Sequence, residues 1–207
     1  GGASIRLVDA ATGTVLAQGK TTGSTGDTPA IMEAKGRTPA RSTGGSAAFR
    51  ATLKIDRPML IRVEAAGPLG YPETMQRATS ERWLIPGAAM AGSDGWVIEL
   101  PGLAITLDGA PPRWRAGTAG PLVAHVQLMC GCPITPGGMW AAEEYAVSAT
   151  IAQGGSSVLL PLAFATAPGR YAARWTPAKK GAAELTISAV NRRTGNAGVL
   201  TKTVIVE

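Results

Sequence analysis

Glu184-Leu185-Thr186-Ile187-Ser188-Ala189-Val190, then Thr194-Gly195-Asn196, then Val199 to Val206, is the stretch whose reading decides the fold. Apolar and polar residues alternate in the first run, and a period of two sends successive side chains to opposite faces of a strand. The Gly-Asn punctuation between them supplies a turn, so the stretch predicts a hairpin. Working outward, Lys179-Lys180-Gly181 turns into this hairpin. Before it, Arg170-Tyr171-Ala172-Ala173-Arg174-Trp175 puts Tyr171, Ala173 and Trp175 on one face and both arginines on the other. Tyr145 to Ile151 alternates in the same way, Gly154-Gly155 turns into Val158 to Ala165, and Leu122 to Met129 and Leu103 to Leu107 complete the series. About seven strands with turn signals every eight to twelve residues is the pattern of a β-sandwich.

The run Pro168-Gly169-Arg170-Tyr171, followed by Pro177, Gly181 and Ala189-Val190-Asn191, resembles the last strands of bacterial Ig-like domains. The resemblance covers the C-terminal end of the chain. It implies an Ig-like sandwich for residues 102–207 and no reaction.

The N-terminal half opens with Ser4-Ile5-Arg6-Leu7-Val8-Asp9 and Thr14-Val15-Leu16-Ala17-Gln18 around Ala11-Thr12-Gly13, a predicted hairpin. Asp9 to Val15 resembles the first hairpin of transthyretin-like or carboxypeptidase-regulatory-like modules, which implies a small β-sandwich. Residues 22–46 read as a long Gly, Ser, Thr and Pro-rich loop with one apolar patch, Ile31-Met32. Alternation then predicts strands at Ala48 to Ile55 and Met59 to Glu64, a loop from Gly67 to Ser80, and further strands at Arg82 to Ile85 and Trp96 to Leu100. Pro and Gly concentrate at Pro101-Gly102 and at Asp108 to Pro112, which places the junction there. The expected organisation is all-β: two consecutive antiparallel β-sandwich domains, 1–101 and 102–207.

The chain has 207 residues, of which 27 are Gly and 15 Pro, and 45% are hydrophobic; this composition suits short strands joined by many turns rather than disorder. The net charge of +6 is spread out, with no basic run longer than Lys179-Lys180 or Arg192-Arg193. A nucleic-acid surface needs a concentrated basic stripe with stacking aromatics. Arg113-Trp114-Arg115 alone resembles one, and it sits in a Pro-rich connector where arginine stems packing on a ring explain it. No apolar run reaches the roughly 18 residues of a membrane span. The chain opens at Gly1-Gly2-Ala3 without a charged and apolar leader, so it reads as processed or trimmed.

Both cysteines lie in Met129-Cys130-Gly131-Cys132-Pro133-Ile134-Thr135-Pro136-Gly137-Gly138-Met139-Trp140. Two extended residues span at most about 7 Å, slightly beyond the usual disulfide Cα separation of about 4.4–6.8 Å. Bridging Cys130 to Cys132 therefore needs a kink, which Gly131 supplies through positive φ, while Pro133 stiffens the exit. Three readings stand side by side: a local disulfide or structural turn, a soft metal or redox site, and buried thiols ending a core strand. Thiolate and thioether ligands favour monovalent copper, and the candidate set is Met129, Cys130, Cys132 and Met139. His125, the single histidine, lies about 16 Å along an extended strand from Cys130. The odd separation also turns the two to opposite faces. On that alternation Cys130 ends the apolar row Leu122, Ala124, Val126 and Leu128.

Catalytic patterns fail one by one. Five residues separate Gly13 from Gly19-Lys20-Thr21, where a phosphate loop has four. Ala91-Gly92-Ser93-Asp94-Gly95 lacks the first glycine of a nucleophile elbow. Glu143-Glu144 reads as a solvated strand entry. The sequence thus points to no enzyme and no required cofactor. It points to a periplasmic or extracellular structural or protein-interaction module, with a protein partner or self-assembly and with Pro133 and Trp140 on the contact loop. The alternative is a periplasmic copper-binding or thiol-redox protein using the Cys loop.

Overall fold

A computed structural model describes residues 2–37, 39–90, 94–108 and 114–207. The chain is all-β, with one antiparallel sheet of four strands and one of seven. It divides into two compact units, residues 1–70 with 75–100, and residues 71–74 with 101–207.

In the first unit β1 (Ser4–Asp9) and β2 (Val15–Lys20) form the expected hairpin. Its turn closes because the Asp9 carboxylate accepts the Ala11 N–H at 2.9 Å and Gly13 takes φ +76°. With β3 (Met59–Gly67) and β4 (Gln76–Leu84) the sheet has the order β2-β1-β3-β4. Ile61, Val63 and Ala65 of β3 are buried. The alternate residues carry a zigzag of ion pairs, Arg6 to Glu64 at 2.7 Å, Arg62 to Glu64 at 3.3 Å and Arg62 to Glu81 at 3.7 Å.

Three expectations need correction here. Ala48 to Ile55 is no ladder strand: Ala48 makes one isolated bridge with Thr22, and the chain beyond it runs unpaired. The alternation is real, since Leu53 and Ile55 are half-buried while Thr52 and Lys54 are exposed, and the Phe49 ring occupies the space where Gly19 lacks a side chain. Trp96 to Leu100 is likewise outside any sheet; Trp96 donates its indole N–H to Ser80 at 3.2 Å and lies under the Arg82 guanidinium at 5.4 Å. Conversely, the loop expected from Gly67 to Ser80 shrinks, because β3 and β4 stay paired from Met59↔Leu84 to Gly67↔Gln76. Within residues 22–46 a short helix, α1 (Thr28–Glu33), forms with Asp27 accepting the Ala30 N–H at 3.1 Å. The Ser93 segment and most of the Asp108 to Pro112 junction lie outside the described residues.

The second unit holds all seven expected strands: β5 (Leu103–Leu107), β6 (Gly120–Leu128), β7 (Tyr145–Gln153), β8 (Ser156–Phe164), β9 (Arg170–Trp175), β10 (Gly181–Asn191) and β11 (Ala197–Val206). Their order is β11-β10-β7-β8-β9-β6-β5. Strand β8 pairs with β7 from Ser156 to Leu162 and then with β9 at Ala163 and Phe164, so it passes from one half of the sheet to the other. One core fills the space between, including Leu122, Val126, Val147, Ile151, Leu185, Ile187 and Leu200, with Trp114 and Trp175 edge to face at 5.2 Å. The two ends of the series meet. Asn196 donates to the Gly102 carbonyl at 3.0 Å, and the Glu207 N–H reaches the Trp114 carbonyl at 2.8 Å.

Candidate functional site: the bridged loop after the sixth strand

The β5–β6 ladder ends at Leu103↔Leu128, and the chain turns immediately after it. Gly131 donates its N–H to the Leu128 carbonyl at 2.8 Å with φ +81°, which is the left-handed kink that the Cys-Gly-Cys spacing demands. The turn corrects the expectation that Cys130 ends a core row. Leu122, Ala124 and Val126 are fully buried, Leu128 and Met129 only partly, and Cys130 is exposed. The physical reason is that the row lasts only as long as the ladder that holds the strand straight.

Cys130 and Cys132 stand 5.4 Å apart at Cα with their sulfurs at bonding distance. The Cys132 N–H points back at the Cys130 sulfur at 3.2 Å. After the exposed Pro133, Ile134 plunges into the core with no exposure, and its carbonyl accepts the Gly169 N–H at 2.8 Å. Thr135 then ties the loop together: its N–H reaches the Trp140 carbonyl at 3.1 Å, and its own carbonyl accepts from Ala142 at 3.0 Å and Gly138 at 3.2 Å. Trp140 is half-buried and packs against the core, whereas Met139 is 57% exposed.

The far end of the loop rests on residues whose role the sequence hid. Glu144 is not a solvated strand entry: its carboxylate takes Arg193 at 2.8 Å and the Asn191 amide at 3.2 Å. Asn191 is buried and also accepts the N–H groups of Arg193 and Thr194 at 2.9 and 3.0 Å, closing the β10–β11 turn. Tyr171 donates its hydroxyl to the Ala142 carbonyl at 3.3 Å; burial first, then the charges of Tyr145 and Glu143, push its phenol up to about 12. A tyrosine on the apolar row of Arg170 to Trp175 was the one available signal. The Glu144–Asn191 pair spans 47 residues and had none.

His125 lies within β6, before the turn that carries the sulfurs. It sits between Thr106 and Arg170 in the sheet, with its ring over Gly169. Among the described residues no three His, Cys, Asp or Glu side chains are grouped to hold a metal ion. Bridged sulfurs have no thiolate to offer copper, so Met129 and Met139 are the soft donors that remain.

No family model matches the chain. No curated protein matches it either. Among solved structures it is similar to the crystal structure of an engineered protein, at 20% identity with a TM-score of 0.37. That match covers 51% of this chain and 20% of the other, so the chain spans about a fifth of the neighbour's length. A likeness this distant brings no function with it. No helix among the described residues is long and apolar enough to cross a membrane.

Proposed function

We propose that this chain is a non-catalytic extracytoplasmic β-sandwich protein that acts as a structural or protein-interaction module, with the loop from Met129 to Trp140 as its contact surface. The observation that carries the reading is the closed Cys130–Cys132 turn, exposed on a loop whose base is fixed by Ile134, Thr135 and Glu144. Rigid scaffolds carrying exposed loops are where binding residues concentrate. A bridged pair also suits an oxidising compartment, periplasmic or extracellular. An Ig-like second unit is favoured by strand order. With β8 shared, β5, β6 and β9 fall on one side and β7, β10 and β11 on the other, which is the partition of strands one, two and five against three, six and seven in immunoglobulin-type sandwiches.

The copper reading has one observation in its favour, the placement of Met129 and Met139 on the same loop as the cysteines. It requires the bridge to open first. Intact mass of the native chain, with and without alkylation and after exposure to monovalent copper under reducing conditions, separates the two. A two-dalton deficit with no alkylation supports the closed contact loop; free thiols that one copper ion protects from alkylation would put the metal reading ahead.

A further inference from the structure

We infer that the loop captures a partner's cysteine thiolate by disulfide exchange, with Cys132 as the sulfur attacked and Cys130 as the leaving group. The inference rests on the bridged contact loop proposed above and names the chemistry of its partner: a polypeptide thiol.

The bridge does little for stability. In the chain-entropy account the constraint on the unfolded chain grows with the size of the closed loop, and a ring of three residues is among the smallest that a bridge can close. Other bonds hold the loop, namely Gly131 to Leu128, Gly169 to Ile134, and the Thr135 contacts with Trp140, Gly138 and Ala142. Opening the bridge therefore leaves the loop's fold in place. Both sulfur-bearing residues also reach solvent, Cys130 exposed and Cys132 partly so.

The direction of attack follows from the one hydrogen bond at the sulfurs. A thiolate on Cys130 accepts the Cys132 N–H already aimed at it at 3.2 Å, and such charge-assisted bonds are stronger than neutral ones. Among the described residues no hydrogen bond reaches the Cys132 sulfur, and Pro133, next in the chain, has no N–H to give. A thiol with lower pKa leaves faster. The partner's thiolate pair thus forms a bond to Cys132 Sγ, the Sγ–Sγ bond breaks, and its electrons leave on Cys130. In the reverse step the Cys130 thiolate attacks Cys132 Sγ, closes the bridge and expels the partner thiolate, so no outside oxidant enters. Exposed Met139 and Pro133 give the surrounding surface an adaptable apolar character suited to a polypeptide.

Reduced glutathione is the probe. The native chain is first weighed, then exposed to glutathione for short times, quenched with a maleimide and mapped by peptide mass. The expected result is glutathione on Cys132 and maleimide on Cys130, in at least about tenfold excess over the reverse arrangement, in line with leaving-group control. The variant Cys130→Ser, checked for fold by circular dichroism, should form a lasting mixed disulfide with oxidised glutathione at Cys132 because nothing remains to expel it. A bridged native chain that gives no adduct while its urea-unfolded form does, or that takes glutathione mainly on Cys130, overturns the exchange and leaves the contact-loop reading standing. A native chain without the two-dalton deficit overturns both.

Discussion

The two units solve the same burial problem with different means. Among the described residues five hydrophobic side chains are buried in the first, Val8, Ile61, Val63, Ala65 and Ala66, against twenty-three in the second. The difference follows from what backs each sheet. Seven strands that switch sides through β8 bring two apolar faces together over one core. Four strands backed by unpaired extended segments leave apolar residues at their margin, with Trp83 64% and Ile85 50% exposed. Alternation in sequence is common to both; a second ladder is what turns it into a closed core.

The sharpest way to break this comparison is to remove the same side chain from both cores. Ile187 and Ile61 are each fully buried. Isoleucine to alanine costs about 2–5 kcal/mol, rising where the surroundings cannot collapse into the space. Ile187→Ala should sit near the top of that range, about 4 kcal/mol, because paired strands form both faces of the core around it. Ile61→Ala should sit near 2, because unpaired segments relax. Urea titration followed by hydrogen exchange resolved on peptides of each unit measures the two losses; equal values would remove the distinction.

A smaller effect tests how tightly the second unit is packed around its loop. Gly169 and Gly131 both hold positive φ, +67° and +81°. A side chain at Gly169 runs into the Val126 carbonyl and the His125 ring, while one at Gly131 meets nothing within 4 Å. Gly131→Ala should therefore cost only the left-handed backbone, about 1 kcal/mol. Gly169→Ala adds a clash with backbone in a paired strand and should cost about 3 kcal/mol. Urea midpoints at constant m-value read both, and similar costs would mean that the chain beside β6 yields readily.

How far the sequence carried the reading depends on whether a feature is local. All seven strands of the second unit were legible, because each is an apolar-rich or alternating run set off by turn residues. The kink at Gly131 was legible for the same reason: three residues determine it. Phe49 to Ile55 and Trp96 to Leu100 alternate too, and nothing local says that no strand will pair with them. The exposure of Cys130 depends on where β5 stops supporting β6, at Leu103, some 27 residues earlier. Glu144 was misread because its partners Asn191 and Arg193 come from the other end of the unit.

The smallest effect sets the two units against each other by pH. In the first, the Asp94 carboxylate accepts the Ser42 hydroxyl at 2.7 Å and the N–H groups of Arg41 and Ser42 at 2.9 and 3.0 Å. The Ser42 hydroxyl, then the Arg41 amide, hold its pKa below the ordinary 3.8. A depressed carboxylate contributes stability above its unfolded value and loses it as pH falls through the lower folded value. In the second unit the raised Tyr171 phenol works the other way: its contribution is complete below 10 and is lost as pH rises toward about 12. Amide shifts of Arg41 and Ser42 should titrate with a midpoint below 3.8 in the native chain and should stop doing so in Asp94→Asn. Tyrosinate absorbance should show a phenol ionising only toward about 12, together with loss of the second unit's exchange protection. If the Ser42 amide instead titrated at the ordinary value, Asp94 would be free of its partners in solution, and the segment from 41 to 46 would owe its order to the bonds that Ser24 and Asp27 make with it.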